Sequence, residues 1–146
     1  MFIKDFRPIQ GCDGEIANLV NDDLSEISAK DGVYIIASPQ TKFIYPKGMS
    51  KIIYIGKANS IRRRLKEHQV NLRNAINDLQ DEWWRFDRYN YMKYHGAKVY
   101  YYICQGKQAS KNLESDFLGM FYDKFGAMPV GNGARSLQCE ITEGEK

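Results

Sequence analysis

Two short apolar runs, Gly32-Val33-Tyr34-Ile35-Ile36 and Ile52-Ile53-Tyr54-Ile55-Gly56-Lys57, constrain this chain more than any other feature. Each has the β-branched and aromatic content that suits a pleated strand, with a tyrosine near its centre and a glycine toward one end. The second leads directly into Ala58-Asn59-Ser60-Ile61-Arg62-Arg63-Arg64-Leu65-Lys66-Glu67-His68, an arginine-rich segment of helical character. Alternation puts Val33 and Ile35 on one face of the first strand and Tyr34 and Ile36 on the other. In the second, Ile53 and Ile55 share a face, and Tyr54 and Gly56 share the opposite one. Paired antiparallel, the strands would project both phenols from one side, with Val33, Ile35, Ile53 and Ile55 as the packing face beneath. Two isolated strand tyrosines would read as packing residues. The flanking glycines and the basic helix give them a second reading.

The remaining pattern predicts an α+β fold: a small antiparallel sheet of about three strands flanked by helices. Ile16, Leu19, Val20, Leu24 and Ile27 recur at near-helical spacing, so one or two short helices are expected there. Turn signals at Ser38-Pro39-Gln40 and Pro46-Lys47-Gly48 bracket an extra strand fragment from Lys42 to Tyr45. Ser60 is a helix N-cap, and the stretch from Asn74 to Tyr94 is mostly helical, ending at His95-Gly96. Lys98 to Gln105 is the most β-prone run, and Ser110 starts a last helix that Gly126 stops. The chain of 146 residues thus divides into a helical extension over 1–31, a main domain over 32–135 with a helical insertion near 74–95, and a tail over 136–146.

Composition mainly excludes. The apolar runs are too short to span a bilayer and no signal-peptide pattern opens the chain. Cys12, Cys104 and Cys139 are scattered and odd in number, which argues against a disulfide framework or a zinc site and for a cytoplasmic setting. Charge informs only when localised. The chain as a whole is +3, yet from Lys57 to Arg73 six cations (Lys57, Arg62, Arg63, Arg64, Lys66, Arg73) face Glu67 alone. That excess sits beside the tyrosine strands, as expected of a phosphate-binding face.

On the basic helix, Ile61, Leu65, His68 and Leu72 form the buried stripe. Arg64 borders it and can face the sheet edge. Arg62, Lys66 and Gln69 point toward solvent or a backbone phosphate, and Arg63 pairs with Glu67. The helix N-terminus offers unpaired N–H groups suited to phosphate. Further on, Glu114 lies on the apolar side of its helix with Leu118, Phe121 and Phe125, a costly place for a lone carboxylate. Asp116 falls on the polar side.

These residues resemble the GIY-YIG nuclease family. The first signature stands as Gly-Val-Tyr and the second as an unaltered Tyr-Ile-Gly, and the resemblance runs from Gly32 to Asn132. It implies a divalent-metal-dependent endonuclease that hydrolyses phosphodiester bonds in nucleic acid, DNA foremost. Tyr34 would accept the proton of the attacking water, helped by Tyr54, Lys57 or His68. Arg64 would hold the phosphate, and Asn132 would hold a catalytic group or phosphate by hydrogen bonds. Lys57 directly after the glycine is similar to the incision domain of the bacterial excision-repair nuclease, and His68 is similar to homing endonucleases. The resemblance implies Glu114 as the single carboxylate ligand of magnesium (or manganese), an ion that favours few carboxylates plus waters and phosphate oxygens. Arg62, Arg63, Lys66 and Arg73 would bind the nucleic-acid backbone.

The spacing between the signatures is longer than usual for that family and implies an elaborated hairpin. The aromatic segment from Asp81 to Tyr94 is read first as packing and second as a base-stacking surface, with Arg85, Arg88 and Lys93 on phosphates. With no attached DNA-binding domain, specificity would come from a dimer or a partner protein. A catalytically silent nucleic-acid-binding module of the same fold is the alternative, and an unrelated α+β interaction protein a third.

Overall fold

In the computed structural model, which describes residues 11–78 and 87–132, the elements run as β1 (Gly14–Ile16), β2 (Gly32–Ala37), β3 (Phe43–Tyr45), β4 (Gly48–Ser50) and β5 (Ile52–Ala58), then α1 (Ile61–Asn77), α2 (Arg88–His95), β6 (Lys98–Ile103) and α3 (Lys107–Phe125). A 3-10 turn, Val130–Asn132, follows. The fold is α+β. All six residues of β2 are buried, because the strand is central in an antiparallel sheet of order β1-β6-β2-β5 and both faces of that sheet are covered. Strands β3 and β4 form a separate hairpin, the elaboration expected between the two signatures.

On one face α3 lays Phe117, Phe121 and Phe125 onto Val33, Ile35, Ala37, Ile52, Ile55, Tyr100 and Tyr102. Burying each such aromatic or aliphatic side chain stabilises the fold by about 1.5–3 kcal/mol. On the other face Ile61, Leu65 and Leu72 of α1 and Met92 of α2 cover Tyr34, Ile36, Ile53 and Val99. The stripe Ile61, Leu65, His68, Leu72 is buried as its spacing predicts. Among the described residues no helix is long and apolar enough to cross a membrane.

The structure departs from the sequence reading in several places. The segment from Ile16 to Ile27 is not helical beyond isolated turns; Ile16 belongs to β1, an edge strand paired with β6. Its leucines and isoleucines are buried as helical residues would be. However, Asn18, Asp23 and Ser28 each accept the backbone N–H two residues on, which closes turns in place of helix. A β-bulge at Ile53 is the second departure. Ile36 faces Tyr54 but Ala37 faces Ile52, so Ile53 turns to the α1 side while Ile52 and Ile55 stay on the α3 side. The expected packing face of Val33, Ile35, Ile53 and Ile55 therefore exchanges Ile53 for Ile52. Third, the helical run through 74–95 is two elements, α1 ending at Asn77 and α2 starting at Arg88 with Asp87 as its cap. The aromatic cluster Trp83-Trp84, Arg85 and the tail with Cys139 lie outside the described residues.

Candidate active site

Strand pairing brings the two signature tyrosines together. Tyr34 is registered against Gly56 and Ile36 against Tyr54, so both phenols stand on the α1 face. Their ring centroids are 5.9 Å apart. Gly56 has to be glycine: a Cβ there would lie 2.6 Å from Tyr54 Cε2 and 2.7 Å from the Tyr34 hydroxyl oxygen. Alternation alone puts Tyr54 on the face of Gly56; the bulge at Ile53 leaves that placement intact.

Helix α1 supplies the next two members. Ser60 caps it by accepting the Arg63 N–H at 3.3 Å, and the helix then carries Arg64 and His68 across the tyrosine pair. His68 Nε2 is 2.7 Å from the Tyr34 hydroxyl, and its Nδ1 is 2.8 Å from the Tyr89 hydroxyl on α2. Burial, followed by the charges of Arg64 and Arg88, lowers His68 to about 3, so the ring is neutral. Burial likewise drives the Tyr34 hydroxyl well above the usual phenol range; Tyr54 adds to the rise and Arg64 opposes it. Burial works against the Arg64 charge, but Glu67, with Tyr34 and Tyr54 behind it, more than compensates and raises its pKa. The Arg88 guanidinium carbon lies 4.2 Å from the Tyr54 ring centroid.

Tyr34 has no exposed surface, whereas Tyr54 is half-buried. The sequence reading gave Tyr34 the attacking water; in this conformation a water from solvent meets Tyr54 first.

Lys57 and Glu114 form a second group. Lys57 is registered against Val33, on the α3 side of β5. There Glu114 is half-buried, and burial raises its carboxyl pKa against the opposing charge and backbone N–H of Lys57. Lys57 also lines a cleft of about 340 Å³ with Ala58, Asn59, Lys107 and Ser110. Since β5 is an edge strand, only that strand separates this group from the tyrosines. Asp116 is exposed, as its polar-side placement predicts.

Asn132 completes the edge. Its Oδ1 accepts the Ile55 N–H at 3.1 Å and its Nδ2 donates to the Ile55 carbonyl at 2.9 Å. The amide therefore acts as one rung of an added strand and fixes the residue between Tyr54 and Gly56. Its bonds go to the backbone of β5, where the sequence reading assigned them to a catalytic group or phosphate.

The basic surface is also modified. The four first-turn N–H groups of α1 bond to the Lys30 and Ser28 carbonyls and to the Ser60 side chain and carbonyl, so the expected phosphate site at the helix N-terminus is filled by protein. Arg62 Nε donates to the Ile27 carbonyl at 2.7 Å and Arg73 Nε to the Val20 carbonyl at 2.9 Å. Gln69, expected at the surface, is buried and donates to the Leu19 and Asp22 carbonyls. Glu67 pairs with Arg64 at 2.8 Å and not with the expected Arg63. Arg63 and Lys66 remain exposed in a groove of about 780 Å³ along the outer face of α1.

Among the described residues no three His, Cys, Asp or Glu side chains converge on one point. A single half-buried carboxylate nonetheless suits a hard cation that keeps most of its water and takes phosphate oxygens. Sequence reasoning missed Tyr89 and Asn71 as neighbours of the site; only the approach of α2 to His68 across α1 reveals them. Comparisons with protein-family models, with curated proteins and with solved structures return no match.

Proposed function

We propose that this protein is a divalent-metal-dependent endonuclease of the GIY-YIG type that hydrolyses phosphodiester bonds in DNA. The observation that carries the reading is the tyrosine pair packed over Gly56, with Arg64 and His68 of α1 brought onto it. A scissile phosphate seated on β5 beyond the rung made by Asn132 would meet Tyr54, Arg64 and Arg88 on one side and Lys57 and Glu114 on the other. Tyr54, the phenol with exposed surface, orients the attacking water and takes its proton. Tyr34 sits behind it and fixes its position. Arg64 and Arg88 are the cations that bear on the site of that proton transfer. Arg64 also offsets the charge that builds on the phosphate, which a planar guanidinium does with two parallel hydrogen bonds. Magnesium, held by Glu114 and substrate oxygens, would supply Lewis-acid polarisation of the phosphate and stabilisation of the leaving oxygen. Asn132 keeps Ile55, and hence its neighbours Tyr54 and Gly56, at a fixed place on the sheet edge.

One observation favours a second reading: the burial of Tyr34 with its hydroxyl bonded to His68 is also what a catalytically silent nucleic-acid-binding module would show. Single-turnover cleavage of labelled duplex, branched and single-stranded DNA in magnesium separates the two. The nuclease cuts at least one of them and loses that activity on Arg64→Ala; binding with no cleavage of any leaves the silent module.

A further inference from the structure

His68 is fully buried and touches two phenols, one at each ring nitrogen. A neutral imidazole has one N–H and one acceptor, so one of those phenols must donate to it and the other must accept from it. Which one does so is fixed further out. Asn71, on the exposed face of α1, donates its amide Nδ2 to the Tyr89 hydroxyl oxygen at 3.1 Å. One lone pair of a phenol oxygen is delocalised into its ring, which leaves a single good acceptor direction. With Asn71 on that acceptor, the Tyr89 O–H is free to donate to His68 Nδ1.

We propose that Asn71 and Tyr89 set the tautomer of His68, with its proton on Nε2, so that His68 donates a hydrogen bond to the Tyr34 oxygen and does not serve as a base. All links of the chain from Asn71 through Tyr89 and His68 then point toward Tyr34. The Tyr34 O–H is left to turn toward Tyr54, the other hydroxyl that bears on it. In the nuclease reading, on which the catalytic part of this inference rests, the chain settles the roles: Tyr89 is a positioning residue, His68 a donor, and the base lies among the phenols. Arg64 works the other way, since its guanidinium also bears on the Tyr34 oxygen and competes there with the His68 N–H.

The test is two-bond proton–nitrogen NMR on protein with ¹⁵N-labelled histidine, free of metal and nucleic acid, near neutral pH. His68 is assigned by its loss in His68→Gln. The expected spectrum shows Nδ1 as an unprotonated nitrogen and Nε2 as a protonated one. Tyr89→Phe removes the donor and should mix the two tautomers. Asn71→Asp, at an exposed position where folding is not at risk, replaces the amide donor with an acceptor. It should pull the Tyr89 proton outward and move Nδ1 to the protonated type. A parent protein with the proton on Nδ1, or an unchanged pattern in both variants, overturns the proposal.

The companion assay is steady-state cleavage. Tyr89→Phe should lower kcat roughly 10–100-fold, the scale known for outer partners of metal-bound histidines, with KM little changed. Full activity in that variant overturns the positioning role. A parent that cuts nothing removes the nuclease reading alone, because the nitrogen shifts still decide the direction of the chain.

Discussion

The Tyr34 hydroxyl occupies the space that a side chain at residue 56 would need: a Cβ on Gly56 would stand 2.7 Å from that oxygen. The Tyr-Ile-Gly signature is therefore a steric statement as much as a chemical one. Gly56→Ala should destabilise the protein by roughly 1–3 kcal/mol, the usual cost of forcing a methyl into a packed site. It should also part the two phenols and reduce cleavage more than the stability loss explains. Thermal melts and single-turnover rates on the same preparation check this; a variant as stable and active as the parent would mean that the rings move aside freely.

His68 gives a pH signature. It titrates at about 3 in the folded protein against 6.5 for an ordinary histidine. Between those values the unfolded chain binds a proton that the folded state does not. Stability contributed by the neutral ring is thus complete above about 6.5 and is lost as pH falls toward about 3, at up to about 1.4 kcal/mol per pH unit. Urea denaturation of the parent and of His68→Gln over that window should show the steeper fall in the parent. Parallel curves would place an ordinary, hydrated histidine at this position.

The sequence made the sheet legible wherever a strand was long enough to carry a pattern. β2, β5 and β6 each supply six or more residues of apolar or alternating character, and α1 announces itself through Ser60 and the stripe from Ile61 to Leu72. β1 has only three residues, too few for any period to register, so its isoleucine was absorbed into a helical spacing that turn-forming Asn18, Asp23 and Ser28 then defeat. The bulge at Ile53 is likewise invisible to strict alternation. Gln69 reads as a surface residue on α1 alone and becomes buried because the segment from Ile16 to Ile27 packs across it. At the site, Tyr34, Tyr54, Arg64 and His68 were readable from motif and spacing, and the structure brings them together. Tyr89, Asn71 and the position of Arg88 were not readable, since no local pattern encodes the packing of α2 back onto α1.

The arginines and lysine of α1 should separate by function. Arg64→Ala should lose cleavage far more than binding, because its guanidinium bears on the tyrosine pair. Arg63→Ala and Lys66→Ala should each weaken DNA affinity and reduce the slope of its salt dependence by up to about 0.9 for each phosphate left unneutralised, with little change in the single-turnover rate at saturation. Arg62→Ala should instead cost stability, by about 1 kcal/mol, because the Ile27 carbonyl is left without its donor. Fluorescence anisotropy over a salt series, run beside melts and cleavage, resolves all three; equal effects on rate and affinity would defeat the assignment.

The two phenols should also part company. Tyr54→Phe should slow cleavage by roughly 10²–10⁴-fold, the range of a general base, with stability nearly unchanged. Tyr34→Phe should slow cleavage and in addition destabilise by about 1–3 kcal/mol, because the buried His68 nitrogen loses its partner. Parental rates in Tyr54→Phe would remove it as the group facing the water.

Metal-dependent cleavage that runs through one carboxylate is the central claim. Purified parent and Glu114→Gln are incubated with supercoiled plasmid, single-stranded DNA, branched DNA and RNA, in magnesium, in manganese and in EDTA. The parent is predicted to cut DNA in magnesium and not in EDTA. Glu114→Gln, in which a half-buried carboxylate gives way to a neutral group of the same shape, is predicted to fold and bind DNA as the parent does but not to cut. A parent that cuts none of these substrates in either metal, or a Glu114→Gln variant that cuts as fast as the parent, would contradict the claim.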